Sequence, residues 1–297
     1  MKSERTICLL TGATSGIGKE TALELAKRGM KLVLPVRNME KGRTLREEIH
    51  QITGNGHIDL IECDLASMAS IRACAEEFLS KYDRLDLLIN NAGIWEMKRT
   101  LSKDGIEMVF AVNHLAPFLL TNLLLEPIKS TPQSRIITVS SSAHRQGKIH
   151  FDDLEGRQGW NTIKAYAQSK LANVLFTRRL AHLLEGTSTT VNCLHPGFVN
   201  TSLFEKFPRW MMRLASLIML TPKKGAETTI FLATSPRAGE ITGAYFARKK
   251  VKSPSAAARD DASAKKLWEV SMEYVGPIRQ GRRQTESSKD SPVLVQN

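Results

Sequence analysis

Short apolar runs alternate with longer stretches of helical period from the first residues onward. Ile7–Leu10, Leu32–Val36, Ile58–Cys63, Leu85–Ile89, Arg135–Ser140 and Thr190–Leu194 each read as strands, and Ala244–Ala247 reads as an edge strand. Between them, Lys19–Arg28, a charged segment ending at Ile49 and Ser67–Lys81 carry the spacing of amphipathic helices. Strands separated by helices of this length predict repeated βαβ units. The strand runs are apolar at both parities, as strands buried on both faces require. The expectation is therefore an α/β fold: one domain over residues 1–275, a doubly wound parallel sheet of about seven strands, and helices on both faces. The last helix is expected at about Ala256–Tyr274, stopped by Gly276-Pro277. Residues 276–297 are polar and basic and are expected to be a disordered tail.

Composition narrows the class without changing this picture. Of the 297 residues, 42% are hydrophobic and 24% charged, which excludes global disorder and fibrous repeats. No apolar run approaches the ~20 residues that span a bilayer; the longest, Trp210–Leu220, is 11 residues and is broken by Arg213 and Ser216. The N-terminal apolar run ends at Thr11-Gly12, too short for a signal peptide. Cys8, Cys63, Cys74 and Cys193 have no metal-ligand spacing and read as reduced core thiols, so a cytoplasmic setting is expected. Residues 199–225 carry five Lys/Arg against one Glu, and 247–297 eleven against six Asp/Glu, so most of the net charge of +12 sits there. No base-reading helix or stacking platform accompanies that charge, and no nucleic-acid partner is expected. Peripheral contact with an anionic membrane surface stays open.

The strand Ile7–Leu10 runs into Gly12-Ala13-Thr14-Ser15-Gly16-Ile17-Gly18 and then a helix. The first glycine allows a tight turn, the second a close approach of backbone to a pyrophosphate, and the third close packing of helix on strand. The free N–H groups and dipole of the helix start favour the anion. This is a Rossmann-type nucleotide site. The second strand ends Pro35-Val36-Arg37-Asn38, where an NAD site usually has an acid for the ribose 2′-hydroxyl. A guanidinium there suits a 2′-phosphate, and Arg37 points to NADP(H).

Tyr166 and Lys170 are four residues apart, on one face of a helix. An unperturbed tyrosine, with pKa ~10, is a poor acid–base group near neutrality, and a lysine ammonium beside it would lower that value. Ser140-Ser141-Ser142 closes the strand Arg135–Val139 and offers a hydroxyl for a substrate oxygen.

Together with Asp64-Leu65, Asn90-Asn91-Ala92-Gly93, Asn113 and His195-Pro196-Gly197, these motifs closely resemble the short-chain dehydrogenase/reductase family over about residues 5–275. GIGKETA, VSSSAH, the SKLAN run and HPGFVNT resemble its retinol dehydrogenase-like group. The resemblance implies that Tyr166 is the acid–base residue, that Lys170 lowers its pKa and bonds the nicotinamide ribose, that Ser141 orients the substrate oxygen, and that Asn113 holds a water behind Lys170. It also implies cofactor contacts from Gly12, Thr14, Ser15, Gly16, Ile17, Gly18, Asp64, Leu65, Asn91, Ala92 and Gly93, and from Pro196, Gly197, Val199 and Thr201 on the nicotinamide side. Ser141 and Tyr166 are 25 residues apart, wider than the family's common spacing. The extra loop Gly147–Asn161, with Phe151 and Trp160, is shared by the retinol dehydrogenase-like group. Vertebrate members of that group often carry an N-terminal membrane anchor; here the first strand begins within a few residues of the start, and no anchor is expected.

Phe204, Phe207, Trp210, Met211, Leu214, Leu217 and Ile218 recur at helical spacing after the HPG motif. They are expected to form an apolar lid over 204–220, with Trp210 and Met211 against the substrate. A core helix and a basic amphipathic helix on lipid remain alternatives for this segment. His144, His150 and His182 fit no ligand motif, and no metal is expected. The leading functional expectation is an NADP(H)-dependent oxidoreductase interconverting a lipophilic alcohol and its aldehyde or ketone. Two rivals stay open: a non-catalytic NADP(H)-binding redox sensor, and a surface binder acting through the basic tail. A homodimer through the Tyr166–Leu184 helix also stays open.

Overall fold

A computed structural model describes residues 5–199 and 219–278. Seven parallel strands form the sheet: β1 (Ile7–Leu10), β2 (Lys31–Val36), β3 (Ile58–Glu62), β4 (Leu87–Asn90), β5 (Arg135–Val139), β6 (Thr190–His195) and β7 (Tyr245–Ala247). An eighth, β8 (Lys250–Lys252), runs antiparallel to β7 at the edge. The order is β3-β2-β1-β4-β5-β6-β7-β8. The expected count of about seven is thus one short. The segment expected as an edge strand is covered by β8, whose Lys-Val-Lys sequence gives no apolar signal. Arg248 (φ 52°) and Lys249 (φ 62°) make the two-residue turn between them, the conformation that matches strand twist. Lysines on β8 leave the exposed edge unattractive to another strand.

Alternation along the strands divides the core into two layers. Leu9, Val33, Ile61, Leu88, Ile136 and Val191 face one layer. Cys8, Leu10, Leu32, Leu34, Ile89, Ile137 and Leu194 face the other. The first layer is covered by α3 (Met68–Lys81), α5 (Ala116–Leu123), α7 (Thr162–Leu183) and α9 (Asp261–Val275), through residues such as Phe78, Phe118, Phe176 and Trp268. The second is covered by α1 (Gly16–Lys27), α2 (Met39–Thr53) and α8 (Pro222–Thr234), through Leu25, Ile49 and Leu232. Two short helices, α4 (Met108–Phe110) and α6 (Leu125–Ser130), flank α5. A π-helical turn, Ala111–Leu115, joins α4 to α5.

Local signals set these boundaries. Asn38 and Ser67 cap α2 and α3 by accepting from Lys41 N and Ser70 N. Thr221 caps α8, with Pro222 at its first position. Gly276, at φ 67°, ends α9 where the sequence expects the stop. Because β2 and β4 flank β1, the chain's crossovers diverge beyond the C-terminal ends of β1 and β4. That crevice is the ligand position in folds of this topology.

Candidate active site

The glycine loop between β1 and α1 is fixed by close approach. A Cβ on Gly18 would lie 2.1 Å from the Gly12 carbonyl oxygen and 2.6 Å from Asn91 Nδ2; one on Gly12 (φ 69°) would lie 2.9 Å from Ala92 Cα. Asn91, at the end of β4, holds the loop by donating from Nδ2 to Thr11 O (2.9 Å) and Gly12 O (3.2 Å). The Asn91 and Ala92 N–H groups both donate to Thr11 Oγ1 at 3.1 Å. The loop therefore opens a cradle at the start of α1 with its backbone already satisfied on the protein side.

A cleft of about 920 Å³ begins at this cradle. One end is lined by Arg37, Asn38 and Lys41 after β2 and by Asp64 and Leu65 after β3; the other is lined by Gly93, Ser141, Tyr166, Lys170, Pro196, Gly197 and Val199. Thr14, Ser15, Gly16, Ile17 and Ala92 line the stretch between. Arg37 is exposed. Burial works against ionisation of Asp64, but hydrogen bonds from Lys103 (Nζ 3.0 Å) and Ala66 N (3.0 Å) hold its carboxyl below the usual value. Lys103 is a site residue that no sequence motif marked.

At the far end, α7 carries Tyr166 and Lys170 one turn apart, both buried. Burial pushes the Tyr166 hydroxyl up to about 12, against the pull of a hydrogen bond with Ser141. Burial pulls Lys170 down to about 8. Lys170 Nζ lies 5.5 Å from the centre of the Tyr166 ring and donates to Val139 O at 3.1 Å. In the protein alone, burial therefore outweighs any lowering of the tyrosine by the lysine. Trp95 packs on the Tyr166 ring at 4.6 Å between centroids. Ser141 Oγ accepts from Ala143 N at 3.2 Å, the first bond of the 3₁₀ turn Ser142–Gln146. A Cβ on Gly147 would lie 2.5 Å from Ala167 O, so this turn sits directly against α7.

Asn113 stands behind the cleft, in the π turn. Its Oδ1 accepts from Ile94 N at 2.7 Å, and its Nδ2 donates to Ile94 O and Ser169 Oγ, both at 3.0 Å. Its amide is thus committed to the chain that follows Gly93. A Cβ on Gly93 would meet Lys170 Nζ at 3.2 Å and Asn113 Oδ1 at 3.5 Å, so the two groups converge there. The extra loop anchors the cap of α4, which leads into that turn: Trp160 Nε1 donates to Glu107 Oε1 at 3.0 Å, and Glu107 N donates to Glu155 Oε2 at 3.1 Å.

Thr201, Trp210, Met211 and the expected lid, except for Met219 and Leu220, lie outside the described residues. Leu220 N donates to Phe198 O at 2.7 Å beside Gly197. Among the described residues, no three His, Cys, Asp or Glu side chains come together as a metal-ligand set, and no helix is long and apolar enough to cross a membrane.

A glycine-loop cleft ending at a buried tyrosine and lysine fits an oxidoreductase that acts on alcohols and carbonyl compounds. The chain belongs to the short chain dehydrogenase family, whose model matches residues 6–212. Within it the chain is retinol dehydrogenase-like: it is 43% identical over 272 residues to retinol dehydrogenase 11 of Homo sapiens, covering 91% of this chain and 86% of that protein. Among solved structures, an uncharacterized protein from Mycobacterium paratuberculosis is 32% identical, with a TM-score of 0.75 over 92% of this chain and 94% of that one. A short chain dehydrogenase from Shigella flexneri, complexed with NADP, is 27% identical with a TM-score of 0.63, covering 81% and 95%.

Proposed function

We propose that the protein is an NADP(H)-dependent oxidoreductase that interconverts a lipophilic alcohol and its aldehyde or ketone. The observation that carries this reading is the pairing of ends: one cleft has Arg37 and Lys41 at its nucleotide end and Ser141, Tyr166 and Lys170 at the other. The glycine cradle fits a pyrophosphate, since a Cβ at Gly12 or Gly18 would collide with backbone. No carboxylate ends β2; Arg37 follows it directly. Bidentate pairing with a 2′-phosphate favours NADP(H) over NAD(H). Val112, beside Asn113, and Phe198, beside Gly197, give the reacting end apolar walls, which suits a lipophilic substrate. The four buried, unpaired thiols support a reducing, cytoplasmic setting.

A bound nicotinamide dinucleotide supplies or accepts the hydride, and the protein manages the proton. Tyr166, held protonated at neutral pH by burial, is ready to donate from its hydroxyl to a carbonyl oxygen. Ser141 Oγ accepts from Ala143 N and is hydrogen-bonded to the Tyr166 hydroxyl, so it stands where its O–H can turn to the same carbonyl oxygen. Lys170, fixed by Val139 O, lies close enough for its ammonium to stabilise the tyrosinate as it forms. An intact proton path has no use in a redox sensor, and the oxidoreductase reading is preferred for that reason.

The test is NADPH consumption with a panel of aldehydes, ketones and retinoids. Tyr166→Phe should lower turnover by ~10²–10⁴-fold while leaving NADPH affinity within about threefold. A wild-type protein that turns over none of these, or a Tyr166→Phe variant within tenfold of wild type, defeats the reading.

A further inference from the structure

The mechanism does not use His144, yet it is the most completely engaged imidazole near the cleft. It lies three residues past Ser141 in the 3₁₀ turn and has 0% of its surface exposed. Its Nδ1 is 2.7 Å from the Ser141 carbonyl oxygen, and its Nε2 is 3.2 Å from the Ser255 N–H. An amide N–H only donates, so Nε2 is the bare nitrogen. A carbonyl oxygen only accepts, so Nδ1 carries the proton. The two partners together fix the tautomer. Tyr245 of β7 packs on the ring at 4.7 Å between centroids. Next to it, Arg145 Nη2 donates to Ser253 O at 2.7 Å. The turn holding Ser141 is therefore tied at two points to the 253–255 segment that leads into α9.

We propose that His144 is a positioning residue for Ser141. Its neutral, Nδ1-protonated ring sets the plane of the Ser141–Ser142 peptide. Through that plane it sets the direction of Ser141 Oγ toward Tyr166. The Ser255 N–H locks the ring, so the C-terminal segment buttresses the reacting end of the cleft without touching substrate. Ser141 O also accepts from the His144 N–H at 3.2 Å, but that bond and the one from Ala143 N to Ser141 Oγ close within the same short turn and move with it; the imidazole ties Ser141 O to Ser255, outside the turn. The inference rests on the oxidoreductase reading for its kinetic readout, and a second readout is independent of turnover.

The kinetic test uses the full chain. His144→Phe keeps the ring volume and loses both bonds. His144→Asn keeps an N–H near the Nδ1 position. His144→Gln places its amide near Nε2 and loses the donor to Ser141. His144→Phe should lower kcat for carbonyl reduction by about 10-fold or more, as a misaimed group does, with KM for NADPH within twofold. His144→Asn should recover most of kcat, and His144→Gln should not. Equal kcat in all three variants, or losses in His144→Phe and His144→Asn that are alike and track melting temperature, overturns the positioning role. The second measurement is the ¹⁵N imidazole spectrum of the wild-type protein: a protonated Nδ1 and a bare Nε2 at His144 are expected. The opposite tautomer, or a doubly protonated ring at neutral pH, overturns the inference whether or not a substrate has been found. A wild-type protein with the expected tautomer and no turnover would sink only the functional reading.

Discussion

Replacing Gly18 with alanine adds a single methyl group at the tightest point of the nucleotide cradle. In the present backbone that carbon would sit 2.1 Å from Gly12 O, 2.6 Å from Asn91 Nδ2 and 2.8 Å from Gly12 C. Ordinary carbon–oxygen contact lies near 3.4 Å, so the loop or the start of α1 must move by roughly 1 Å. The loop cannot absorb this cheaply, because Asn91 holds Thr11 O and Gly12 O at 2.9 and 3.2 Å. Overpacking of this kind costs about 1–3 kcal/mol in stability. A cradle displaced by that distance also forfeits at least one charge-assisted bond to phosphate, about 1.5–3 kcal/mol, or roughly 10- to 150-fold in affinity. Titration of NADPH by calorimetry, beside thermal unfolding without ligand, measures both effects. Gly29→Ala is the control: Gly29 has φ 76° with nothing within 4 Å of a Cβ, so alanine there should cost about 1 kcal/mol of stability and leave NADPH affinity unchanged. If Gly18→Ala binds NADPH within twofold of wild type, the glycine loop is not the phosphate cradle.

Arg37→Ala should weaken NADPH by roughly 10-fold or more and NADH by less than twofold, measured by fluorescence titration; equal wild-type affinities for the two dinucleotides would refute the preference. Lys170→Met should abolish turnover and yet raise the melting temperature at pH 7. Burial lowers the folded-state value of this lysine to about 8, so between about pH 8 and 10.5 the unfolded chain binds more protons than the folded one. Wild-type stability should rise across that window, and the advantage of the methionine variant, roughly 3 kcal/mol at most by the size of the shift, should fade there. A variant less stable at pH 7 and no closer to wild type at pH 10 would show that the Val139 hydrogen bond, not desolvation, decides the energy of this side chain.

Most strands were legible because burial on both faces favours apolar residues at successive positions, as in Ile7–Leu10 and Lys31–Val36. The glycine loop was legible for a similar reason: only glycine satisfies its clashes and its positive φ values. The antiparallel edge was not, since Lys250–Lys252 is exposed and a sequence of Lys-Val-Lys is shaped by solvent rather than by a core. Helix α8 was not read from the sequence: Thr221 and Pro222 mark its start, but its apolar stripe is narrow. Most of the motif residues line one cleft, Asn113 stands behind it, and burial acts on Tyr166 and Lys170 in a way their spacing does not show. Four residues of helical spacing say that Tyr166 and Lys170 share a face; they do not say that Lys170 turns to Val139 O or that burial dominates both groups. His144 and Asn91 were read as a bystander and as a cofactor contact. The bonds of Asn91 to the glycine loop and of His144 to Ser255 join points far apart in the chain, which no local pattern encodes.

The bonds of Asn91 span 79 and 80 positions. The shape of the nucleotide loop is thus a property of assembled tertiary structure: until β4 has docked beside β1, residues 11–18 have no reason to hold their turn. An unfolded or half-folded chain accordingly has negligible affinity for dinucleotide, and the ligand draws only on the native population. By mass action, cofactor at a hundred times its Kd deepens the native well by about 2.7 kcal/mol. Depletion of the cellular dinucleotide pool then does more than slow turnover. It raises the fraction of chains open to proteases, so the abundance of this protein is itself expected to follow the supply of its cofactor.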